Sequence, residues 1–480
     1  MDDATAIRRL LAVEWHALKG RRRSARQAES LTTPFQGVPP RGTVPLRAAF
    51  VTIVFLFASV VLVNPAVASG PPRPDDARAK AAGIRKLSSR HLTLYTDVAG
   101  AEVEQLPAVF DQAFPQWCRY FGIDEHKHAD WRLTGCLMKD RSRFVTAGLL
   151  PPEVPVAEGR GYTWYDTFWL DEQPSEWYRR ELFLHEGAHG FMYTVLGDCG
   201  PIWYMEGMAE YLGTHRWQQD RLTLGYMPRS REESPRWGRV PTIQKLVAEH
   251  HAQKLPSVIE FTPAACQRPE TYAWCWAAVT LLDRHPRYQA RFRQLVSQVG
   301  RADFNEQFHR LFQPDWQQLC EEWQLMIVGM EYGYDVGRAA VDFTPATVSP
   351  RSLAGEGKKV KILADRGWQN TGLRLTAGKS YRLTATGRYQ VAKEPKIWWC
   401  EPGGVSIRYY HGQPLGVLLA AVRPDNPPAG SLSALLRPTT IGLGMTLIPA
   451  ETGTLFLKIN DSAGELDDNA GELTVQVRRE

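Results

Sequence analysis

Two histidines with the spacing of metal ligands, His185 and His189, lie in the run FLHEGAHGF at residues 183–191. On a helix, residues four apart project from one face, where two imidazoles can bind a single zinc ion. Glu186, beside the first histidine, can take a proton from a water molecule on that metal. The pattern HExxH also arises by chance, and helix histidines are more often core or surface residues than ligands. It therefore needs support from the rest of the chain.

Two predicted helices supply that support. Ser175 is placed to cap the first, and Gly197 is placed to end it, so we predict a helix over residues 175–196. After a short break, a second helix is predicted over residues 201–212. It carries Glu206, which can complete the three protein ligands of a catalytic zinc ion and leave a fourth position open.

A second carboxylate, Glu210, lies one turn beyond Glu206 on the same face of this helix. Glu210 can orient a ligand histidine from behind the metal site, as such sites usually require. It can also be the third ligand itself. The residues alone leave both roles open.

At these two helices the chain resembles the gluzincin metallopeptidases, which include thermolysin and the aminopeptidase N family. The resemblance rests on the pattern Trp203-x-x-Glu206-Gly207-x-Ala209, which begins shortly after the HExxH run. The resemblance implies zinc on His185, His189 and Glu206, with Glu186 as general base, and the Glu-Gly pair of its pattern favours Glu206 over Glu210 as third ligand.

The resemblance also bears on Tyr272 and on substrate class. Tyr272 follows Glu206 at about the distance of the oxyanion-stabilising tyrosine of the aminopeptidase N family, although it reads equally well as one more buried aromatic. The segment at residues 159–165 lacks the Gly-x-Met-Glu-Asn element with which aminopeptidases hold a free amino terminus. An endopeptidase is therefore favoured.

The carboxyl-terminal segment at residues 459–471 is dense in carboxylate and amide oxygens, the ligands that calcium prefers. A solvated acidic hairpin is the alternative. The spacing is similar to that of the PA-IL type of calcium-dependent galactose-binding lectin. That resemblance implies a calcium site with side-chain oxygens from Asp461, Asp468 and Asn469 and the main-chain carbonyl of Glu465, with glycans as partners.

The amino-terminal segment reads as an export signal. Residues 48–63 form an uncharged apolar run, followed by Ala-x-Ala at residues 66–68. A cleaved signal is the leading interpretation, giving a secreted, periplasmic or cell-surface protein, and a single-pass membrane anchor is the alternative. Residues 1–68 hold 9 basic and 4 acidic residues, which leaves 48 of the 57 basic and 48 of the 52 acidic residues for the rest. This neutral remainder gives no support to a nucleic-acid partner.

The periodicity changes along the chain and predicts two folded domains. The first is an α+β zincin-like domain, in which a small sheet borders the cleft with its edge and a run of helices follows. The second is an all-β sandwich of alternating strands. The seven scattered cysteines allow one or two disulfides in an exported protein. The predicted boundaries are 1–68 (signal), 69–87 (linker), 88–340 (metallopeptidase domain), 341–357 (linker) and 358–480 (lectin-like domain).

The sequence therefore predicts an exported zinc metallopeptidase that hydrolyses protein or peptide substrates and carries a calcium- and carbohydrate-binding-like appendage. The alternative is a non-catalytic carbohydrate-binding surface adhesin with a degenerate peptidase lobe. The intact Glu186 favours the enzyme, because a mere metal-binding scaffold has no need of a general base.

Overall fold

The computed structural model describes residues 70–480, so the predicted export signal and its cleavage site lie outside the described residues. The described part is mixed α/β, with a helical region followed by a β-rich carboxyl-terminal part. Within it, no helix has the length and apolar character needed to cross a membrane.

The helices and strands are numbered here in chain order. The α-helices of the described part are α1 (Asp76–Ala81), α2 (Ala101–Glu104), α3 (Leu106–Phe121), α4 (Arg141–Thr146), α5 (Glu176–Phe191), α6 (Ile202–Gly213), α7 (Arg239–Ala248), α8 (Leu255–Ile259), α9 (Pro269–Arg284), α10 (Gln289–Gln294), α11 (Phe304–Phe312), α12 (Trp316–Val328) and α13 (Val336–Ala339). The strands are β1 (Arg85–Ser88), β2 (Leu92–Thr96), β3 (Leu133–Met138), β4 (Gly161–Trp164), β5 (Thr167–Asp171), β6 (His215–Gln218), β7 (Arg221–Leu224), β8 (Lys358–Leu363), β9 (Gln369–Leu375), β10 (Tyr381–Thr386), β11 (Tyr389–Ala392), β12 (Trp398–Cys400), β13 (Val405–Tyr410), β14 (Gln413–Leu415), β15 (Leu418–Pro424), β16 (Thr439–Thr440), β17 (Gly444–Leu447), β18 (Gly453–Ile459) and β19 (Glu472–Arg479).

A five-stranded sheet in the order β1-β2-β3-β5-β4 opens the described part. Its three central strands are parallel, and β1 and β4 are antiparallel edges. The segment read from the sequence as a linker, residues 69–87, instead contains α1 and the start of β1. Asp75 caps α1, and the Tyr95 hydroxyl donates to Asp76 at 2.6 Å. These contacts hold in a defined structure a segment whose composition is typical of a linker.

Helix α5 carries the HExxH run and packs against this sheet. Ser175 caps it by accepting the Tyr178 N–H at 3.2 Å, and a π-helical turn extends it to Leu196, before Gly197 at φ 87° ends it. A Cβ at Gly190 would lie 2.4 Å from a methyl carbon of Leu133 on β3, so only glycine allows this approach. The edge strand β4 borders the same helix.

The β-rich part contains two four-stranded sheets, ordered β17-β10-β19-β8 and β16-β15-β18-β9. Their alternating apolar side chains meet in one hydrophobic core, which includes Leu383 and Val475 from the first sheet and Leu418 and Leu457 from the second. The predicted change from helical to β-rich structure is confirmed.

Polar contacts join the two parts of the chain. Glu321 of α12 forms a partly buried ion pair with Arg423, whose Nη2 lies 2.7 Å from Glu321 Oε1. The Ser462 hydroxyl donates to Glu331 at 2.6 Å, and the Asp335 N–H donates to the carbonyl of Ala463 at 2.9 Å. The oxygen-rich loop at residues 459–471 is therefore packed against the helical region.

All seven cysteines lie within residues 70–480, and each is a free thiol in this structure. The one or two disulfides that the sequence allows are therefore not formed in this structure. Cys199, in the loop between α5 and α6, is a buried thiol whose Sγ lies 3.7 Å from the main-chain carbonyl oxygen of His189.

Candidate metal centre

Three side chains from α5 and α6 converge on one point. The Nε2 atoms of His185 and His189 are 3.1 Å apart, and Glu206 Oε2 lies 3.4 Å from each of them. Zinc bonds of about 2.0–2.1 Å in a tetrahedron require neighbouring ligand atoms about 3.3 Å apart. The three atoms thus match the corners of one face of a zinc coordination tetrahedron.

Burial supports the same interpretation. The three residues are only 5–7% exposed, and Glu206 Oε2 has no hydrogen-bond partner among the described residues. A buried carboxylate oxygen without a donor is costly, and a cation removes that cost. Two imidazoles and one carboxylate are also a donor set that zinc takes in catalytic sites. The residues present therefore fit a zinc ion.

The pKa values of Glu206 and His185 are both shifted by the groups around them. Burial by itself raises the pKa of Glu206, but the two imidazoles outweigh it and lower that pKa strongly. Burial lowers the pKa of His185, yet Glu206, Glu210 and Glu186 outweigh it and raise that pKa to about 10. Metal binding must therefore displace a proton from His185, which makes metal affinity fall at low pH.

Glu210 faces the other side of His185. Its Oε1 lies 3.5 Å from His185 Nδ1, and its Oε2 accepts from Arg239 Nε at 2.7 Å. Glu181, His185 and Glu210 form a second group with metal-ligand spacing, but the Arg239 guanidinium contacts both oxygens of Glu210. A second cation there would be repelled, so the geometry favours Glu206 as third ligand and Glu210 as the group that orients His185.

Glu186, the predicted general base, is buried beside the ligands. Burial raises the pKa of its carboxyl group, which suits a group that must accept a proton. Its Oε2 accepts a hydrogen bond from Thr163 Oγ1 at 2.6 Å. The sequence carries no signal for Thr163, which lies on β4, or for Arg239 of α7, because both reach the site only through packing.

Tyr272, the predicted oxyanion donor, lies on α9 with its ring centroid 6.5 Å from that of His185. Burial raises the pKa of Tyr272, so its hydroxyl stays protonated and able to donate. The hydroxyl lies 3.5 Å from the carbonyl of Cys266, and Cys266 Sγ is 3.9 Å from Glu206 Oε1. The roles of Glu186 and Tyr272 stay predictions.

The oxygen-rich loop brings two of its four predicted calcium ligands, Asp461 and Asn469, into contact. Asn469 Nδ2 donates to Asp461 Oδ2 at 2.9 Å, while Asp468 Oδ1 and Asn469 Oδ1 are buried without hydrogen-bond partners among the described residues. Burial raises the pKa of Asp461 to about 7. Glu465, predicted to bind through its main-chain carbonyl, accepts the Asp468 N–H there at 3.3 Å and pairs its carboxylate with Arg408 at 2.8 Å.

Comparison with known proteins assigns no family. No protein-family model and no curated protein matches the sequence. Among solved structures, the chain is similar to "EclA N-terminal domain; PllA-like lectin", at 25% identity over 25% of this chain and 95% of that chain, with a TM-score of 0.20. It is also similar to "IMPa from Pseudomonas aeruginosa in complex with an O-glycopeptide", at 12% identity over 55% of this chain and 26% of that chain, with a TM-score of 0.15. Both TM-scores are too low to establish a shared fold.

Proposed function

We propose that the protein is a zinc-dependent peptidase whose metal is held by His185, His189 and Glu206. The supporting observation is the triangle of ligand atoms with 3.1–3.4 Å edges, in which Glu206 Oε2 has no hydrogen-bond donor among residues 70–480. A metal site with three protein ligands and a carboxylate at Glu186 is suited to hydrolysis rather than to structural binding.

The residues around the metal divide the chemistry between them. Zinc, when bound, acidifies a water molecule and polarises the carbonyl of the peptide bond that is cleaved. Glu186 accepts the proton of the attacking water and later transfers it to the leaving amine. The Tyr272 hydroxyl donates toward the oxygen on which negative charge develops. Glu210 Oε1, 3.5 Å from His185 Nδ1, favours the tautomer with the proton on Nδ1, which leaves the Nε2 lone pair available to the metal.

The edge strand β4 provides a way to bind an extended substrate. It is the last strand of the five-stranded sheet, so one side of its backbone has no partner strand in that sheet. An extended peptide can add to such an edge through main-chain hydrogen bonds. Because the segment at residues 159–165 lacks an acidic group for a free amino terminus, we propose an endopeptidase.

The test of this function is cleavage of a proteome-derived peptide library by the purified full chain. We expect internal cleavage that stops when the metal is removed by a chelator and returns when zinc is added back. A chain that contains stoichiometric zinc and cleaves no peptide or protein would contradict the peptidase proposal, and it would leave the metal site in place.

We propose as the alternative a carbohydrate-binding surface protein with an inactive metal lobe, in keeping with the lectin domain and the O-glycopeptide complex to which the chain is similar. Its structural support lies in the oxygen-rich loop, where Asp468 Oδ1 and Asn469 Oδ1 are buried without donors among the described residues. We propose that this loop binds calcium, and that the β-rich part is a lectin-like sandwich able to bind glycans. Both activities can coexist in one exported chain.

Calcium should raise the melting temperature of the full chain. A ligand that binds only the folded state at a hundredfold excess over Kd adds about 2.7 kcal/mol to the free energy of unfolding. Since calcium binds the ionised carboxylate and the pKa of Asp461 is raised to about 7, the response should be larger at pH 8 than at pH 6. Magnesium should do less, because it demands stricter octahedral geometry.

The substitution Asp461→Ala should remove the calcium response. Asp467→Ala is the matched control, because Asp467 lies in the same loop but its carboxylate pairs with Arg229. Melting that is indifferent to millimolar calcium in the parent chain, or equal loss of the response in both variants, would rule out the proposed site.

A further inference from the structure

Strand β4 touches the predicted general base at two alternate residues. Thr163 Oγ1 lies 2.6 Å from Glu186 Oε2 and 3.0 Å from the main-chain carbonyl of Glu186. A Cβ atom built on Gly161 would lie 2.2 Å from Glu186 Oε1 and 2.6 Å from its Cγ and Cδ. Both oxygens of this carboxylate are therefore located by the same strand.

The spacing of the two residues follows from strand geometry. Residues two apart on a strand point to the same face, so Gly161 and Thr163 both face α5, while Tyr162 between them is 36% exposed. The register of β4 is fixed by its pairing with β5, in which Gly161 lies opposite Leu170 and Thr163 lies opposite Phe168. Because the side chains of β5 lie in the core, this pairing fixes the position of β4 relative to Glu186.

The two contacts act on different oxygens. Thr163 donates to Oε2, and Oε1 accepts no hydrogen bond from residues 70–480. Oε1 lies over Gly161, in space that any side chain would fill. One oxygen of the carboxylate is therefore held in place by a donor, and the other remains available to accept a proton.

We propose that Thr163 and Gly161 are positioning residues that hold the Glu186 carboxylate in its reactive orientation. This inference rests on the proposed peptidase function. Thr163 fixes the rotation of the carboxylate through Oε2, and Gly161 leaves the room in which Oε1 receives the proton of the attacking water. A misplaced catalytic group loses rate because the reacting atoms must be aligned to within a fraction of an ångström.

The test is a set of full-chain variants in the peptide-cleavage assay, with zinc content and melting temperature measured for each. Thr163→Val keeps the shape of the side chain and removes the donor, so we expect kcat to fall about ten- to a hundredfold with KM nearly unchanged. Thr163→Ser restores the hydroxyl and should retain most of the parent's kcat. Gly161→Ala should lower kcat with zinc retained, because its methyl group must displace the carboxylate.

A double-mutant cycle separates positioning from a general structural effect. In a Glu186→Gln background, Thr163→Val should cause little further loss, since Thr163 acts through the carboxylate that is already gone. Equal losses in both backgrounds, an unchanged kcat for Thr163→Val, or failure of Thr163→Ser to restore activity would each overturn the proposal. If Glu186→Gln itself keeps full activity, the fault lies with the proposed function and not with Thr163.

Discussion

Replacing His185 or His189 by alanine is expected to abolish zinc binding. Each substitution removes one corner of the ligand triangle whose edges measure 3.1–3.4 Å, and the two remaining ligands cannot hold the ion against water. Elemental analysis after zinc loading and dialysis should give one zinc per parent chain and none per variant chain. Glu206→Ala should behave like the histidine variants.

Glu210→Ala is the matched control for this series. Glu210 lies one turn from Glu206 on the same helix, and its carboxylate faces Nδ1 of His185 rather than the metal position. We therefore expect Glu210→Ala to lower zinc affinity by about 10–100-fold. Zinc loss in Glu210→Ala that exceeds the loss in Glu206→Ala would reassign the third ligand. A parent chain that retains no transition metal would rule out the proposed metal centre.

Changing Glu186 to glutamine is expected to preserve zinc and fold while removing most of the proposed peptidase activity. The amide keeps the shape of the side chain and can still contact Thr163, but it cannot accept a proton. General-base catalysis is typically worth about 10²–10⁴-fold in rate. Activity should be followed as kcat and KM on a peptide identified in the library assay.

The control for Glu186→Gln is its own zinc content and melting temperature, which should match those of the parent. If the variant cleaves peptides as fast as the parent, Glu186 is not the base. If it loses zinc together with activity, the loss reports on the metal centre rather than on proton transfer.

Contacts among neighbours in the chain are the part of the site that could be predicted from the sequence. The helix around HExxH runs from its Ser175 cap to Gly197, as predicted, because capping residues and a four-residue spacing act within a few turns. The alternation of strands beyond residue 355 was predictable for the same reason, since a period of two follows from one strand alone. The segment at residues 69–87 was misread because the contacts that order it come from Tyr95 and from strand pairing.

Only the tertiary structure distinguished the two carboxylates of α6. Both lie on one face of that helix, about 6 Å apart along the axis. The packing of α6 against α5 turns Glu206 toward the Nε2 atoms of both histidines and turns Glu210 toward Nδ1 of His185. Arg239, far along the chain, then pairs with Glu210.

The sequence by itself therefore determined which residues can bind a metal and accept a proton, because those properties belong to side-chain chemistry and helical spacing. It also determined where helical structure gives way to strands. The tertiary structure decided which carboxylate joins the histidines, that Thr163 and Gly161 bracket Glu186, and that the oxygen-rich loop lies against the helical region. Those facts depend on the angles and distances at which separate elements pack, and the periodicity of a single sequence does not encode them.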